Sequence, residues 1–426
     1  MSSITAQLPA RPAVSSLASV SDALAGAAAG RTQGALTLAE RALNDAIVGA
    51  LGLERRVDPY FRPAFDRALR EPLVSAVQTL VNLRRPDEQL GLAEEQRLPG
   101  EAELTQQIID AMGAFMGATY APGQYQRAGN TKTHGVVRGV FEVLDSLPTK
   151  LRKGIFERPR SYPAWVRFAG PGPLSPSDVK DSGILSVAVK LMSVPGRKLV
   201  ADERFTQDFT AISAPTFTTP NIRENVKLQR HVRAGTPALY FIDPSSPHVL
   251  DMLMQGLFAK TQTSPLEARY WSCAAYLLGE GQAVQYSLAP CSSQRTRVPL
   301  RPSANYLRQA MARTLSRGEV TFDFTVQLQT DSYRMPIEDA SVRWPESLSP
   351  HVPVAKLRLP AQSFDSPAQL AFAGNLSINP WHCIAAHRPL GNQNRARLAI
   401  YEQLSRLRQE MNRTPHIEPT GDEVFA

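Results

Sequence analysis

The segment GNQNRARLAIYEQLSRLRQEMN, residues 391–412, is the most informative stretch of the chain. Its mixture of apolar and charged residues predicts a helix over about residues 392–412. On a helix of 100° per residue, Tyr401 and Arg408 lie within about 40° of Arg397, so one phenol and two guanidinium groups share a face. An ordinary amphipathic helix with a half-buried tyrosine and solvated arginines explains the same pattern. The helix by itself therefore leaves the role of this face open.

The composition of the chain is that of a large folded protein. The 426 residues are 43% apolar and 20% charged, which excludes a mainly disordered chain. The sequence has neither the roughly 20 continuous apolar residues of a membrane span nor the compact apolar region of a signal peptide. We therefore expect a cytoplasmic protein without a membrane span. The three cysteines show neither paired nor metal-binding spacing.

Local patterns divide the chain into three regions. Residues 1–34 are rich in Ala and Ser and predict a flexible or weakly helical leader, whereas residues 35–119 have the apolar spacing of three helices. Residues 120–426 combine strand signals with helices. The strands are predicted at 136–144, 164–169, 184–192 and 319–329, and the helices at 221–233, 246–259, 265–278, 303–316 and 392–412. This order favours the α+β class over repeated β-α-β units.

The last helix also resembles a known family. Arg397, Leu398, Tyr401, Arg408 and Asn412 are similar to the R-L-x-x-Y…R…N signature of the haem catalases. Further similar segments follow in the family's order: GVVRGVFEV at 135–143, VRF at 166–168, VAVKL at 187–191, and DF through SAPTF at 208–217. The resemblance spans about residues 120–415. It is closer to the short catalase-related haem proteins, which include allene oxide synthase-like enzymes, than to full-length catalases.

The resemblance implies a catalase-like antiparallel β-barrel core with N-terminal helices, inserted helices and a C-terminal haem-ligand helix. It implies haem b with ferric iron as cofactor, Tyr401 as the axial ligand, and Arg397 as the partner that keeps Tyr401 ionised. The positions that match the arginines on the haem propionates are Arg127, Arg167 and Arg408. Phe168 and Phe217 match apolar walls of the pocket. Taken alone, each arginine is equally consistent with an ordinary cation at the surface. Each phenylalanine is equally consistent with an ordinary core residue.

The distal side departs from the catalase pattern. The family frame R-x-x-H-x-K reads RAGNTK at residues 127–132, so that Asn130 stands where the histidine is expected. An amide donates a hydrogen bond but cannot act as the base that moves a proton between the peroxide oxygens. Ser213 replaces the distal asparagine, and Ala169 replaces a serine. His134 is a second candidate for the distal group if it shares a strand face with Asn130, and an ordinary structural histidine otherwise.

These departures argue against efficient dismutation of hydrogen peroxide. The sequence predicts a haem-dependent oxidoreductase of the catalase-related family that acts on a hydroperoxide, or uses peroxide to oxidise a small organic substrate. Two alternatives stay open, namely weak catalase or peroxidase activity through His134 and a haem-binding protein without turnover. The net charge of +8 is assigned in part to arginines around the cofactor, so no nucleic-acid partner is expected. A homo-oligomer remains open.

Overall fold

The computed structural model of the protein describes residues 17–86, 90–293 and 295–425. Three helices lead into the fold, as the sequence predicts: α1 (Leu17–Ala68), α2 (Arg70–Arg84) and α3 (Glu101–Thr119). Helix α1 begins inside the predicted leader, whose residues 1–16 lie outside the described part. Within the described residues, no helix combines the length and apolar character needed to cross a membrane.

The centre of the molecule is a closed antiparallel β-barrel. Its strands are β1 (Thr133–Val143), β2 (Ser161–Ala169), β3 (Ser186–Leu191), β4 (Gln207–Ile212), β5 (Tyr270–Trp271), β6 (Tyr276–Leu277), β7 (Ala283–Pro290), β8 (Val320–Leu328) and β9 (Val352–Leu359). They pair in the order β5-β4-β3-β2-β1-β9-β8-β7-β6, and β5 also pairs with β7. Because β5 and β6 pair with successive parts of β7, they form one interrupted strand, and the barrel has eight strand positions. The predicted fold class is confirmed, and the four predicted strands correspond to β1, β2, β3 and β8.

Aromatic side chains fill the interior of the barrel. In β8, the alternating residues Phe322, Phe324 and Val326 are buried, as the period of two in the sequence predicts. The ring centre of Phe324 lies 5.0 Å from that of Phe141 and 4.9 Å from that of Phe209. The barrel is thus a packed core, and a cavity lies between its wall and the surrounding helices.

Five further helices surround the barrel: α4 (Ile222–Ala234), α5 (Val249–Phe258), α6 (Tyr306–Leu315), α7 (Pro367–Asn375) and α8 (Asn392–Asn412). Four of the five predicted helices in this region are confirmed. The start of helix α4 is fixed locally, because the Asn221 side chain caps it by accepting hydrogen bonds from the N–H groups of Arg223 and Glu224 at 3.0 and 3.2 Å.

The predicted helix at 265–278 is wrong. A short 3-10 turn is followed there by β5 and β6, because pairing with β7 buries Tyr270 and Tyr276. Between the two half-strands Cys273 has a left-handed backbone with φ of 57°, and the Ser272 hydroxyl accepts a hydrogen bond from the Tyr286 N–H at 3.0 Å. Long-range pairing therefore overrides a local helical pattern.

The start of α8 depends on a glycine. Gly391 has φ of 86°, and a side chain at this position would collide with the backbone carbonyl of Ile337. The first residue of the helix, Asn392, is fixed by its N–H group, which donates to Glu338 Oε2 at 2.7 Å. These contacts set the direction in which α8 leaves the preceding loop.

Candidate functional site

A cavity of about 700 Å³ lies between the barrel and the helices. Its wall brings together most of the residues singled out in the sequence: Arg127, Asn130, Arg167, Phe217, Arg397, Tyr401 and Arg408. These residues come from the segment before β1, from β2, from the loop after β4 and from α8. The fold thus joins positions that lie near the two ends of the barrel region in the chain.

Helix α8 presents Tyr401 and Arg397 to the cavity. Its buried residues Ile400 and Leu404 pack against Ile108 of α3, which fixes the rotation of the helix about its axis. Arg397 donates to the side-chain oxygen of Asn394 at 3.0 Å, and its guanidinium carbon lies 5.2 Å from the ring centre of Phe217. Within the described residues the hydroxyl of Tyr401 makes no hydrogen bond, so its oxygen is free to bind a ligand.

Three arginines form a cluster at one side of the cavity. Arg127 and Arg408 donate to backbone carbonyl oxygens of residues 374–376, at 3.2 Å from Arg127 to Gly374 and 3.4 Å from Arg408 to Asn375. Arg167 donates to the carbonyl oxygen of Asn130 at 2.8 Å. These bonds position the guanidinium groups but leave their charges without an anion.

The electrostatics of this cluster favour an anionic ligand. Among the described residues, none of the three guanidinium groups forms an ion pair with a carboxylate. Burial, and then repulsion from Arg167 and Arg408, lowers the pKa of Arg127 well below its usual value. Burial lowers the pKa of Arg167 to about 9 and that of Arg408 to about 10, and the Nε atom of each is buried without a partner in the described part of the chain. Such cations need a counter-anion.

Asn130 lies on the cavity wall in a left-handed backbone conformation, with φ of 51°. Asparagine tolerates this conformation better than most residues. The Asn130 N–H donates to the carbonyl oxygen of Pro171 at 3.0 Å. No hydrogen bond occupies the Asn130 side chain within the described residues, so its amide is free to orient a ligand.

His134 does not reach the cavity. Strand β1 begins only at Thr133, so Asn130 is not on the strand, and the expected alternation between Asn130 and His134 does not apply. The imidazole is 1% exposed, and its Nδ1 lies 3.7 Å from Asp178 Oδ1. Burial and the neighbouring cations lower the pKa of His134 to about 3, which keeps the ring neutral. Neither ring nitrogen has a hydrogen-bond partner among the described residues, so the structure shows a buried, neutral imidazole away from the cavity wall.

Two other predicted residues also lie off the cavity wall. The hydroxyl of Ser213 accepts a hydrogen bond from the Leu185 N–H at 2.8 Å and so joins the ends of β3 and β4. Phe168 points into the barrel, with its ring centre 6.3 Å from that of Phe322. Its neighbour Arg167 points to the cavity because successive side chains on a strand face opposite sides.

The structure resembles solved catalases. A bacterial catalase matches with a TM-score of 0.52 and 16% identity, over 78% of this chain and 67% of that one. A fungal catalase matches with a TM-score of 0.54 and 15% identity, over 80% and 70%. Catalase A from Saccharomyces cerevisiae gives 0.55 and 15%, over 80% and 72%. The chain has the catalase fold. No protein-family model and no curated protein matches the sequence.

The catalase fold places on the cavity wall several residues that sequence reasoning missed. Asp181 contributes a carboxyl group whose pKa is raised by burial, and whose Oδ1 accepts from the Ser182 N–H at 2.7 Å. A side chain at Gly170 would collide with this carboxyl, so the glycine after the V-R-F segment is the local signal for it. Helices α1, α4 and α5, each through residues spaced i, i+3, i+4 and i+7, and a 3-10 turn at 237–242 contribute an apolar wall that includes Val48, Leu51, Val232, Phe241 and Met252.

A buried charge network, here called the clamp, consists of Lys190, Asp208 and His382 in the catalase-fold barrel and the loop before α8. Lys190 Nζ lies 2.8 Å from Asp208 Oδ1, and His382 Nδ1 lies 2.8 Å from Asp208 Oδ2. Glu203 joins the same cluster, but the Lys190 ammonium lies between the carboxylates where a metal ion would otherwise bind. The clamp holds the loop 379–383, which precedes α8, the helix that carries Tyr401.

Proposed function

We propose that the protein is a haem-dependent oxidoreductase that acts on a hydroperoxide or uses peroxide to oxidise a small organic molecule. The observation that carries this proposal is the convergence of the free Tyr401 hydroxyl with a guanidinium cluster that lacks an acidic partner in the described residues. Tyr401 would be the axial ligand of ferric haem b. Arg127, Arg167 and Arg408 would hold its propionates through charge-assisted hydrogen bonds.

Bound haem would supply the redox chemistry that breaks an O–O bond. The protein's own residues would position the cofactor and select the substrate. Arg397 lies one turn before Tyr401 on the same face of α8, and both residues line the cavity. The amide of Asn130 donates a hydrogen bond that orients the substrate oxygen.

Several contacts argue against rapid dismutation of hydrogen peroxide. The amide of Asn130 cannot accept the proton that a distal imidazole would take. His134, the alternative base, is neutral, buried and directed toward Asp178 rather than the cavity. Among the described residues that line the cavity, the one acidic side chain is that of Asp181, on the loop before β3. We therefore rank weak catalase activity through His134 below a reaction that needs no distal imidazole.

The cavity wall favours an organic substrate. Residues of α1, α4 and α5 add an apolar surface of aliphatic and aromatic side chains next to the polar cluster. A pocket with an apolar wall and a few polar groups binds a molecule that has both characters. An organic hydroperoxide with an apolar chain meets this description better than hydrogen peroxide does.

Haem binding is tested first. The purified protein is expected to show a Soret band and about one haem per chain in a pyridine haemochrome assay, and Tyr401→Phe should shift the band or lose the haem. Tyr162→Phe, which alters a buried tyrosine in the barrel, is the matched control and should leave the spectrum unchanged. A colourless protein that takes up no haemin would contradict the proposal.

Turnover is tested with two substrates. Consumption of a fatty-acid hydroperoxide is expected to exceed oxygen evolution from hydrogen peroxide at equal concentration. The reverse order would show that the missing imidazole does not limit dismutation. A protein that binds haem but consumes neither substrate would instead be a haem-binding protein without turnover.

A further inference from the structure

Helix α1 turns a polar face toward the rest of the protein. Between residues 37 and 68 its buried side chains are Asn44, Arg55, Asp58 and Arg62. The Asn44 side-chain oxygen accepts a hydrogen bond from the Ala238 N–H at 3.0 Å, and Asp58 accepts one from the Thr261 N–H at 2.6 Å. Polar contacts rather than an apolar seam therefore hold this part of α1 in place.

The opposite side of α1, here called the outer face, is apolar and exposed. At 100° per residue, it covers an arc of about 140°. Its large side chains are Leu38, Leu43, Leu53, Val57, Tyr60 and Phe61. Small exposed residues complete it: Ala39, Ala42, Ala46, Gly49 and Ala50. Between residues 38 and 64 the charged residue of this arc is Arg56, at its edge. A helix face of this kind is expected to be covered by another surface.

The two halves of the outer face differ in size. Bulky side chains dominate from Leu53 to Phe61, whereas alanines dominate from Ala39 to Ala46. We propose that the outer face of α1 packs against the same face of a second copy of this chain, with the two helices antiparallel and centred between Gly49 and Ala50. This arrangement has two-fold symmetry, as most homodimers do.

The size pattern of the outer face fits that antiparallel arrangement. With the centre between residues 49 and 50, Leu53 lies opposite Ala46 of the partner subunit and Val57 opposite Ala42 of the partner subunit. Tyr60 lies opposite Ala39 of the partner subunit. Bulky residues thus face small ones at these three levels, which permits the close interdigitation found in helix pairs. At the margins of the face, Phe61 lies opposite Leu38 of the partner subunit, and Leu43 lies opposite Arg56 of the partner subunit. Gly49 at the centre has nothing within 4 Å of an added side-chain carbon, so the crossing point is open.

The amount of exposed surface is sufficient for a dimer. The six large residues are 43% to 76% exposed. At about 150 Å² per fully exposed large side chain they offer on the order of 500 Å² per copy. Two copies would bury about 1,000 Å², the size at which specific interfaces begin.

The charge of α1 favours a protein partner over a lipid surface. Residues 37–68 contain five arginines, five acidic residues and no lysine, so this part of the helix is neutral. Helices that lie on membranes are instead rich in lysine and arginine on the polar face. In addition, Asn44, Arg55, Asp58 and Arg62 are already used in contacts with the body of the protein.

The oligomeric state tests the proposal. Sedimentation of the full chain is expected to show self-association, and Ala46→Arg should weaken it by about 100-fold or more, because each dimer would place two new charges against Leu53. Ala361→Arg, at an exposed alanine away from α1, is the control that should leave association unchanged. A wild-type protein that stays monomeric, or an Ala46→Arg variant that associates as strongly as the wild type, would overturn the proposal.

Cross-linking tests the antiparallel register independently of affinity. In a Cys291→Ser background, Gly49→Cys is expected to form a disulfide between two chains under mild oxidation, whereas Leu300→Cys, at an exposed position elsewhere, should not. Equal cross-linking of the two variants would reject the register. Binding of the wild type to phosphatidylcholine or phosphatidylserine vesicles that is lost in Ala46→Arg, without self-association, would show that the outer face binds lipid and would overturn the dimer. None of these outcomes depends on haem.

Discussion

The guanidinium cluster has opposite effects on folding and on ligand binding. Arg167 and Arg408 are buried without an acidic partner among the described residues, which costs free energy in the ligand-free protein. Arg408→Met should therefore stabilise the haem-free protein by about 1–4 kcal/mol, because a well-packed apolar side chain would replace an uncompensated cation. The same variant should bind haem at least about tenfold more weakly, since it removes a charge-assisted partner of the propionates. Thermal unfolding and haem titration measure the two effects.

A residue on the same helix provides the control for this prediction. Arg406 is exposed, and its guanidinium group lies 2.9 Å from the carboxylate of Glu402, one turn away. Because exposed ion pairs contribute little to stability, Arg406→Met should change neither the melting temperature of the haem-free protein nor its haem affinity. Loss of stability in Arg408→Met would show instead that this arginine supports the fold in the absence of a ligand.

Asn130 decides the proton chemistry of the proposed site. Histidine tolerates a left-handed backbone better than most residues, so Asn130→His should fit the φ of 51° and bring an imidazole to the cavity wall. Oxygen evolution from hydrogen peroxide should rise by about 100-fold, the lower range of general acid-base catalysis. An oxygen electrode measures this change. Asn130→Gln, which keeps an amide, should show no such gain, and equal rates in the two variants would contradict the role given to this position.

At the scale of elements, the clamp is expected to make stability depend on pH. Burial and repulsion from Lys190 disfavour the charged His382 imidazole, but its hydrogen bonds to the carboxylates of Asp202 and Asp208 outweigh both and raise the pKa of His382 to about 9. The folded pKa exceeds the ordinary 6.5, so the stabilisation is complete below about pH 6.5 and is lost as the pH rises through about 9. His382→Gln should therefore destabilise the protein at pH 6 by an amount on the order of 3 kcal/mol, and by much less at pH 10.

Denaturant unfolding at several pH values measures this dependence. His231→Gln, which alters a partly exposed histidine on α4, serves as the control and should have a small effect at both pH values. A destabilisation of His382→Gln that is the same at pH 6 and pH 10 would show that packing of the ring, rather than its charge, holds the loop before α8.

The elements differ in how well the sequence predicts them. Helices α4 and α8 have strong local signals, and β8 shows the alternation of a strand with one buried face, so their positions follow from spacing alone. The structure of residues 265–278 does not follow from spacing. Tyr270 and Tyr276 form strands only through pairing with β7, whose position no local pattern indicates. The same physical reason explains His134, since the residue at which β1 begins is set by its partner strand.

At the scale of the whole molecule, the sequence predicts the residues of one half of the cavity wall but not how the other half is assembled. The resemblance in α8 and β2 leads to Tyr401, Arg397 and Arg167, all of which line the cavity. The apolar half comes from α1, α4 and α5, each of which lines the cavity with residues spaced i, i+3, i+4 and i+7 along the helix. This spacing identifies the inner face of each helix, but the three faces meet only because the helices pack around the barrel. If the proposed function holds, substrate selection would therefore be a property of the assembled fold rather than of any single helix.

The apolar half of the cavity should be separable from the haem site by mutation. Leu51 of α1 lines the cavity but lies outside the outer face, so Leu51→Trp adds bulk to the apolar wall without altering the proposed dimer surface. We expect KM for a fatty-acid hydroperoxide to rise about tenfold, because lost or blocked apolar contacts of this size are worth about 1–3 kcal/mol. The Soret band and hydrogen peroxide consumption should stay unchanged, since Leu51 belongs to the apolar wall and not to the arginine cluster. Leu83→Trp on α2, exposed and away from the cavity, is the control. An unchanged KM in Leu51→Trp would show that substrate enters and binds without contact with α1.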